Sequence, residues 1–215
     1  MMKIEQVLWD WNGTLLDDLE YSIQVRNNIF PAFHLPTLSG VEEYHRQFTF
    51  PVRLYYQRAG VTDEIFDDVA HAWMAEYERR MGTIPLHGDA VETVERFRRA
   101  GLGQTVLSAS EQTMLRRQLA LYGLDSRFDA ILGRGDIYAG SKEAIGREYL
   151  QSCGVPAEAT VMIGDSLHDA EVARALGTRC ILVARGHQSR ETLLEAGVPV
   201  VDSLRKAADW VLEQQ

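Results

Sequence analysis

Apolar residues along the chain recur in two rhythms. Short, nearly continuous runs at Ile4 to Trp9, Gln104 to Leu107, Ala130 to Leu132, Thr160 to Ile163 and Cys180 to Val183 lack clean alternation, as expected of strands covered on both faces. Between them the apolar positions fall at helical spacing. Val91, Val94 and Phe97 mark one face, Leu115, Leu119 and Tyr122 a second, Ile145 with Tyr149 a third, and Val172 with Leu176 a fourth. Strands alternating with helices predict an α/β domain with a mainly parallel sheet.

One stretch departs from this rhythm. From Leu15 to Thr83 no strand pattern is evident. Leu15, Leu19 and Ile23 share a helical face, Ser39 with Glu42 reads as a capping box, and Phe66, Val69, Trp73 and Tyr77 form an apolar stripe. A small helical domain over residues 15–84 is therefore expected as an insertion, with residues 1–14 and 85–215 forming the core. Pro85 and Gly88 mark the return. The aromatic stripe is expected mainly to pack the helices, with lining of a ligand pocket as its other use.

Composition narrows the function. The formal charge of -9 disfavours nucleic acid or an anionic membrane as partner, so any bound phosphate needs locally focused positive charge. Cys153 and Cys180 are far apart in sequence and suggest reduced thiols, not a disulfide framework. No segment reads as a membrane span or signal peptide, which makes the cytoplasm the expected location. Periodicity does not address oligomeric state.

The candidate chemistry sits at strand ends, where parallel sheets place their binding sites. Asp10 follows the first strand, Ser108 the second, and Asp165 the fourth; Lys142 opens the helix before that fourth strand. A single aspartate after a strand is ordinarily a turn former, and a single lysine ordinarily a surface charge. Their order, each at the end of a different element, is what points to a site. Two carboxylates at neighbouring strand ends repel unless a cation lies between them, and hard oxygen ligands completed by waters and phosphate favour Mg²⁺. Ser108 and Lys142 would then hold the transferring oxygens.

With these motifs in place, the sequence resembles the haloacid dehalogenase superfamily, particularly small phosphatases with a helical cap. Asp10-Trp11-Asn12-Gly13-Thr14 is similar to its first motif, Ser108 to the second, Lys142 to the third, and Gly164-Asp165-Ser166-Leu167-His168-Asp169 to the fourth. The resemblance implies a Rossmann-like core with the first strand between the second and the fourth, and an α-helical cap between Leu15 and Thr83. It implies Asp10 as covalent nucleophile, Ser108 and Lys142 as phosphoryl-holding groups, and Mg²⁺ at Asp10, Asp165, Asp169 and the main-chain carbonyl of Asn12. It also implies a small phosphorylated metabolite as substrate, of the phosphoglycolate type or another small organic phosphate.

Asn12 departs from the pattern, since phosphatases of this family carry an aspartate there as acid and base. An amide cannot perform that proton cycle. Losing it typically removes about 10²–10⁴ in rate, so the expectation is a weak phosphatase or one favouring good leaving groups. A metal- and phosphate-binding regulatory module is the alternative. Schiff-base chemistry of the phosphonoacetaldehyde hydrolase kind is disfavoured, because the lysines, Lys3, Lys142 and Lys206, all lie outside the expected cap. Within the cap, Arg46, Arg53 and Arg58 are candidates for an anionic substrate tail, and His45, Tyr55 and Tyr56 for hydrogen bonds. Arg185 is a candidate for the cleft border, and His187 is expected in a surface loop.

Overall fold

The structure is a computed structural model and describes residues 2–214. All five expected strands form: β1 (Gln6–Trp9), β2 (Gly103–Glu111), β3 (Ala130–Arg134), β4 (Thr160–Gly164) and β5 (Arg179–Val183), joined by a short β6 (Val200–Val201). They build one parallel sheet in the order β3-β2-β1-β4-β5-β6, so β1 lies between β2 and β4. Ten α-helices connect them among the described residues. In chain order these are α1 (Leu19–Ile29), α2 (Val41–Gln47), α3 (Val52–Arg58), α4 (Phe66–Arg80), α5 (Ala90–Arg99), α6 (Gln112–Leu121), α7 (Glu143–Cys153), α8 (Leu167–Leu176), α9 (Arg190–Leu194) and α10 (Leu204–Leu212). No described helix is long and apolar enough to cross a membrane.

Successive strand residues point to opposite faces, and here both faces are dry. Val7 and Trp9 join one core with Val94 and Phe97 of α5, Leu115 and Leu119 of α6, and Val211 of α10. Leu8 joins the other with Met162 and with Val172 and Leu176 of α8. That explains the unalternating apolar runs. The indoles buried in the first core keep partners for their N–H groups, as buried tryptophans require: Trp9 Nε1 donates to Gln104 Oε1 at 2.9 Å and Trp11 Nε1 to Gln118 Oε1 at 3.0 Å.

The helices between β1 and α5 gather around a separate apolar cluster that includes Leu19, Ile23, Phe30, Tyr44, Tyr56, Phe66 and Val69. This is a helical cap region. The two passes of chain that join it to the sheet run side by side: Asp17 N donates to Pro85 O at 2.9 Å and His87 N to Leu15 O at 3.0 Å. Three local expectations shift. Leu15 precedes α1 instead of lying in it. The N-cap of α2 is Gly40, and Ser39 donates to Glu43, not Glu42, from both its N–H and its hydroxyl. Val91 is exposed because the buried face of α5 runs through Ala90, Thr93, Val94 and Phe97. Both cysteines are free thiols.

Candidate active site

Adjacency of β1 and β4 brings their C-terminal ends together, with Trp9 opposite Ile163 and Asp10 N donating to Ile163 O at 2.9 Å. Asp10 and Asp165 thereby emerge side by side. One ligand oxygen from each of Asp10, Asp165 and Asp169 lies within 4.8 Å of the other two, and all three residues are buried. The Thr14 hydroxyl lies 3.0 Å from Asp10 Oδ2 and 3.2 Å from Asp165 Oδ1. Gly13 packs against Asp165 with φ +74°, and a Cβ at either Gly13 or Gly186 would collide with the Asp165 carboxylate. Both positions need glycine for this close approach.

Lys142 is the N-cap of α7 and is almost wholly buried. Its ammonium pairs with Asp10 and, at 2.7 Å, with Asp169 Oδ1. The other Asp169 oxygen accepts from Asp165 N, Ser166 N and Ser166 Oγ, completing a capping box at the start of α8. Both Asp169 oxygens are thus engaged, one with the lysine and one with the turn that carries Asp165. Ser108 is buried within β2, just where the strand's regular pairing with β3 breaks, and its hydroxyl accepts from Ser110 N at 3.1 Å.

Three carboxylates facing one ammonium leave about two negative charges without a partner. Burial pushes the Asp10 carboxyl up, Lys142 pulls against it, and Asp169 adds repulsion. Asp165 is raised by burial and by Asp10 and Asp169, with His187 opposing. Burial also acts on Asp169, but Lys142 and Ser166 outweigh it and hold that group low. A divalent cation fits this donor set on charge and on ligand hardness, since every donor is an oxygen.

Asn12 sits beside this cluster in a fixed orientation. Ser110 Oγ donates to Asn12 Oδ1 at 2.7 Å, while Asn12 Nδ2 donates to Asp18 Oδ2 at 2.6 Å and to the Tyr77 hydroxyl at 3.0 Å. Asp18 is nearly inaccessible and also accepts from Gly13 N at 2.8 Å and from the Tyr77 hydroxyl at 3.1 Å. His187 Nε2 lies 3.2 Å from Asp18 Oδ1, and His187 Nδ1 lies 2.9 Å from the Tyr44 hydroxyl. Burial opposes charge on His187, but Asp18 holds the imidazolium up to about 9. Burial likewise works against ionised Asp18, yet His187, Asn12 and Gly13 keep its carboxyl below the usual range.

A cavity of about 150 Å³ opens from Asp10, Asn12, Lys142 and Asp165 into the cap. Its far walls are rings: Phe50 stacks on His168 with centroids 4.6 Å apart, Trp73 stacks on Tyr77 at 4.6 Å, and Tyr44 stacks on Phe48 at 5.1 Å. The stripe on α4 therefore divides its work. Val69 packs the cap, while Phe66, Trp73 and Tyr77 both pack against the apolar cores and line the cavity.

Several sequence-based candidates fall elsewhere. Arg46, Arg53 and Arg58 do not line the cavity; Arg53 pairs with Asp63 at 2.7 Å on the surface. Arg185 pairs with Asp89 at 2.9 Å. His45 reaches the Gly186 carbonyl at 3.0 Å, and Tyr55 and Tyr56 do line the cavity. His187 is buried in the site, because its backbone N–H and its ring both meet carboxylates there.

The arginine that does line the cavity is Arg26, which is buried and donates to Gln47 Oε1 at 2.9 Å and the Tyr55 hydroxyl at 2.6 Å. Arg26 Nε and His168 Nε2 are buried without a hydrogen-bond partner, and both residues contribute to the cavity lining. Arg26 had a signal in sequence, an arginine on the same stripe as Leu19, Ile23 and Phe30. Asp18 had a misleading one, standing as the N-cap of α1 without capping it.

A family model described as haloacid dehalogenase-like hydrolase matches residues 7–183 of the chain. A 5'-nucleotidase of Pseudomonas aeruginosa is 33% identical over 208 residues, covering 89% of this chain and 88% of its own. Phosphoglycolate phosphatase 1 of the same organism is 23% identical over 210 residues, covering 93% and 76%. Among solved structures, a haloacid dehalogenase-like family hydrolase from Streptococcus pneumoniae superposes with a TM-score of 0.85 at 15% identity, covering 98% of this chain and 99% of its own.

Proposed function

From the premise that this chain belongs to the haloacid dehalogenase-like hydrolases, we propose that it hydrolyses small organic phosphate monoesters through an aspartyl-phosphate on Asp10, with Mg²⁺ as its ion. The carrying observation is the trio of buried carboxylates within 4.8 Å of one another, two of them paired with the buried ammonium of Lys142. The names of the two Pseudomonas relatives, both phosphate-ester hydrolases, support the same reaction class.

Asp10 is the nucleophile in this reading. Its oxygens are held by Thr14 and Lys142, which fixes the carboxylate for in-line attack on phosphorus. Lys142 carries positive charge next to the nucleophile, where the transferring oxygens come to lie, and Ser108 offers its hydroxyl at the neighbouring strand. Asp10, Asp165 and the Asn12 carbonyl would hold Mg²⁺, with Asp169 fixing Lys142 and the Asp165 turn. The ion, when bound, screens the repulsion between carboxylate and phosphate and polarises the phosphoryl group. Residues 15–84 act as the cap, and its rings keep water from the leaving group. Soluble phosphorylated metabolites of the cytoplasm are the substrates this arrangement suits.

The test is phosphate release from a varied panel of phosphate esters with and without added Mg²⁺, for wild type and Asp10→Asn. Mg²⁺-dependent turnover lost in Asp10→Asn is the expected result. Mg²⁺ binding by calorimetry with no turnover of any ester would instead identify a regulatory phosphate-binding module.

A further inference from the structure

The orientation of Asn12 and the ring-walled cavity restrict the substrate in the same direction. Building on the phosphatase reading above, we propose that this site is specialised for phosphate esters of an aromatic hydroxyl, the ring lying in the cap chamber and the phenolate departing without a protein acid.

The first observation concerns protons. Asn12 cannot act as an acid, and its amide is committed on both sides, to Ser110 through Oδ1 and to Asp18 and Tyr77 through Nδ2. Its described neighbours are committed as well. The Tyr77 hydroxyl donates to Asp18, and the two ring nitrogens of His187 face Asp18 and Tyr44. An alkoxide leaving group, whose conjugate acid has a pKa near that of water at about 15.7, needs a proton as it departs. A phenolate, with a conjugate acid near pKa 10, departs without one.

The second observation concerns shape. The whole cavity, its acidic mouth included, has a volume of about 150 Å³, and beyond the mouth it is bounded by Phe48, Phe50, Trp73, Tyr77 and His168, with Arg26 also in its lining. These ring walls offer the stacked and edge-on contacts that aromatic groups prefer.

The balanced sequence is short. An Asp10 carboxylate oxygen forms a bond to phosphorus as the P–O bond to the ring carbon's oxygen breaks, and the electron pair leaves on the phenolate, which takes a proton from water after release. Water then attacks the phosphorus of the aspartyl-phosphate, the bond to Asp10 breaks, its carboxylate is regenerated, and inorganic phosphate leaves with the excess proton passing to solvent. Asn12 offers no base for this second step either. Release of the phenol is then faster than release of phosphate, and kcat/KM reports the first step alone.

The experiment measures kcat/KM with Mg²⁺ for ring-substituted phenyl phosphates, acetyl phosphate, glycerol phosphate and a nucleoside monophosphate. Among the phenyl phosphates, kcat/KM falls steeply as the pKa of the phenol rises. Glycerol phosphate and the nucleotide lie at least about a hundredfold below phenyl phosphate, the size of missing acid catalysis. Acetyl phosphate has a good leaving group and no ring, so the phenyl-to-acetyl ratio isolates the chamber. That ratio drops about two- to tenfold in Trp73→Leu and in Phe48→Leu. Competitive inhibition of the wild type, independent of any variant's folding, shows phenylphosphonate binding more tightly than methylphosphonate.

Glycerol phosphate or the nucleotide turning over within tenfold of phenyl phosphate would overturn the proposal while leaving the phosphatase reading intact. Equal inhibition by the two phosphonates, or an unchanged ratio in both folded variants, would do the same. Failure to turn over any compound, acetyl phosphate included, would remove the phosphatase reading and this proposal with it.

Discussion

Asn12→Asp is the perturbation whose outcome the structure constrains most tightly. Asn12 Nδ2 lies 2.6 Å from Asp18 Oδ2, so the introduced carboxyl would face a carboxylate that His187 and Gly13 hold ionised. Two unit charges about 4 Å apart repel by about 4 kcal/mol at an effective dielectric of 20. At 1.36 kcal/mol per pKa unit this raises the new group by about 3 units, from about 3.9 to near 7. The new carboxyl is thus protonated in most molecules at pH 6 and in about a tenth of them at pH 8. In that form it can protonate an alkoxide. The expected gain in kcat/KM for an alkyl phosphate at pH 6 is about 10²–10⁴, falling off above neutrality, with less than a tenfold gain for phenyl phosphate. The assay is phosphate release at saturating Mg²⁺ across pH 5.5 to 8.5, roughly the span that brackets the expected pKa. No alkyl gain at pH 6, or equal gains for both ester classes, would refute the reasoning.

Metal-free protein should lose stability as pH rises from about 4 through neutrality. Asp165 has a raised folded pKa, so across that window the native state holds the proton more strongly than the unfolded chain. Urea unfolding in chelator at pH 5 and pH 8 checks this, and either Mg²⁺ or Asp165→Asn should flatten the slope. Lys142→Met removes the ammonium in contact with Asp10 and Asp169, and is expected to cost about 10²–10³ in kcat and about 3–5 kcal/mol in stability. Single-turnover kinetics together with denaturant titration separate the two effects. Arg26→Met removes a buried cation whose hydrogen-bond partners are neutral, so the melting temperature should stay within about 3 °C of wild type. A fall of more than about 10 °C would make Arg26 a clamp for the cap, not a group oriented toward ligand.

The parts of this molecule legible in its sequence are those whose signal is local. β1, β2, β4 and β5 are buried over most of their length and read as apolar runs, β3 at the sheet edge is mostly half-buried yet keeps a short apolar run, and β6 is two residues long and leaves no pattern. Asp10, Lys142, Asp165 and Asp169 are fixed to the ends of recognisable elements, and the sheet order brings them together. Asp18 and His187 were not legible. Asp18 occupies a position where an aspartate ordinarily caps a helix, and only the fold turns it toward Asn12 and Gly13. His187 sits among loop residues, and the groups that surround it, Asp18, Tyr44 and Asp165, are all distant from it in sequence. The same holds for Arg53, which a composition argument places in a cleft and the structure pairs with Asp63.

Tyr44 and His45 of the cap reach His187 and the Gly186 carbonyl of the core, Asp18 and Tyr77 add polar contacts to His187, Asn12 and Gln118, and the paired passes of chain at Asp17–Pro85 and Leu15–His87 carry the connection between the two parts. The arrangement is that of a door with its latch and its hinge. The contacts made by Tyr44 and His45 are each worth about 1 kcal/mol net, and the buried Asp18–His187 ion pair strengthens the same seam. Were product release to require the cap to swing away, these contacts would have to break first, and residues that never touch phosphorus would then help set the pace of the cycle.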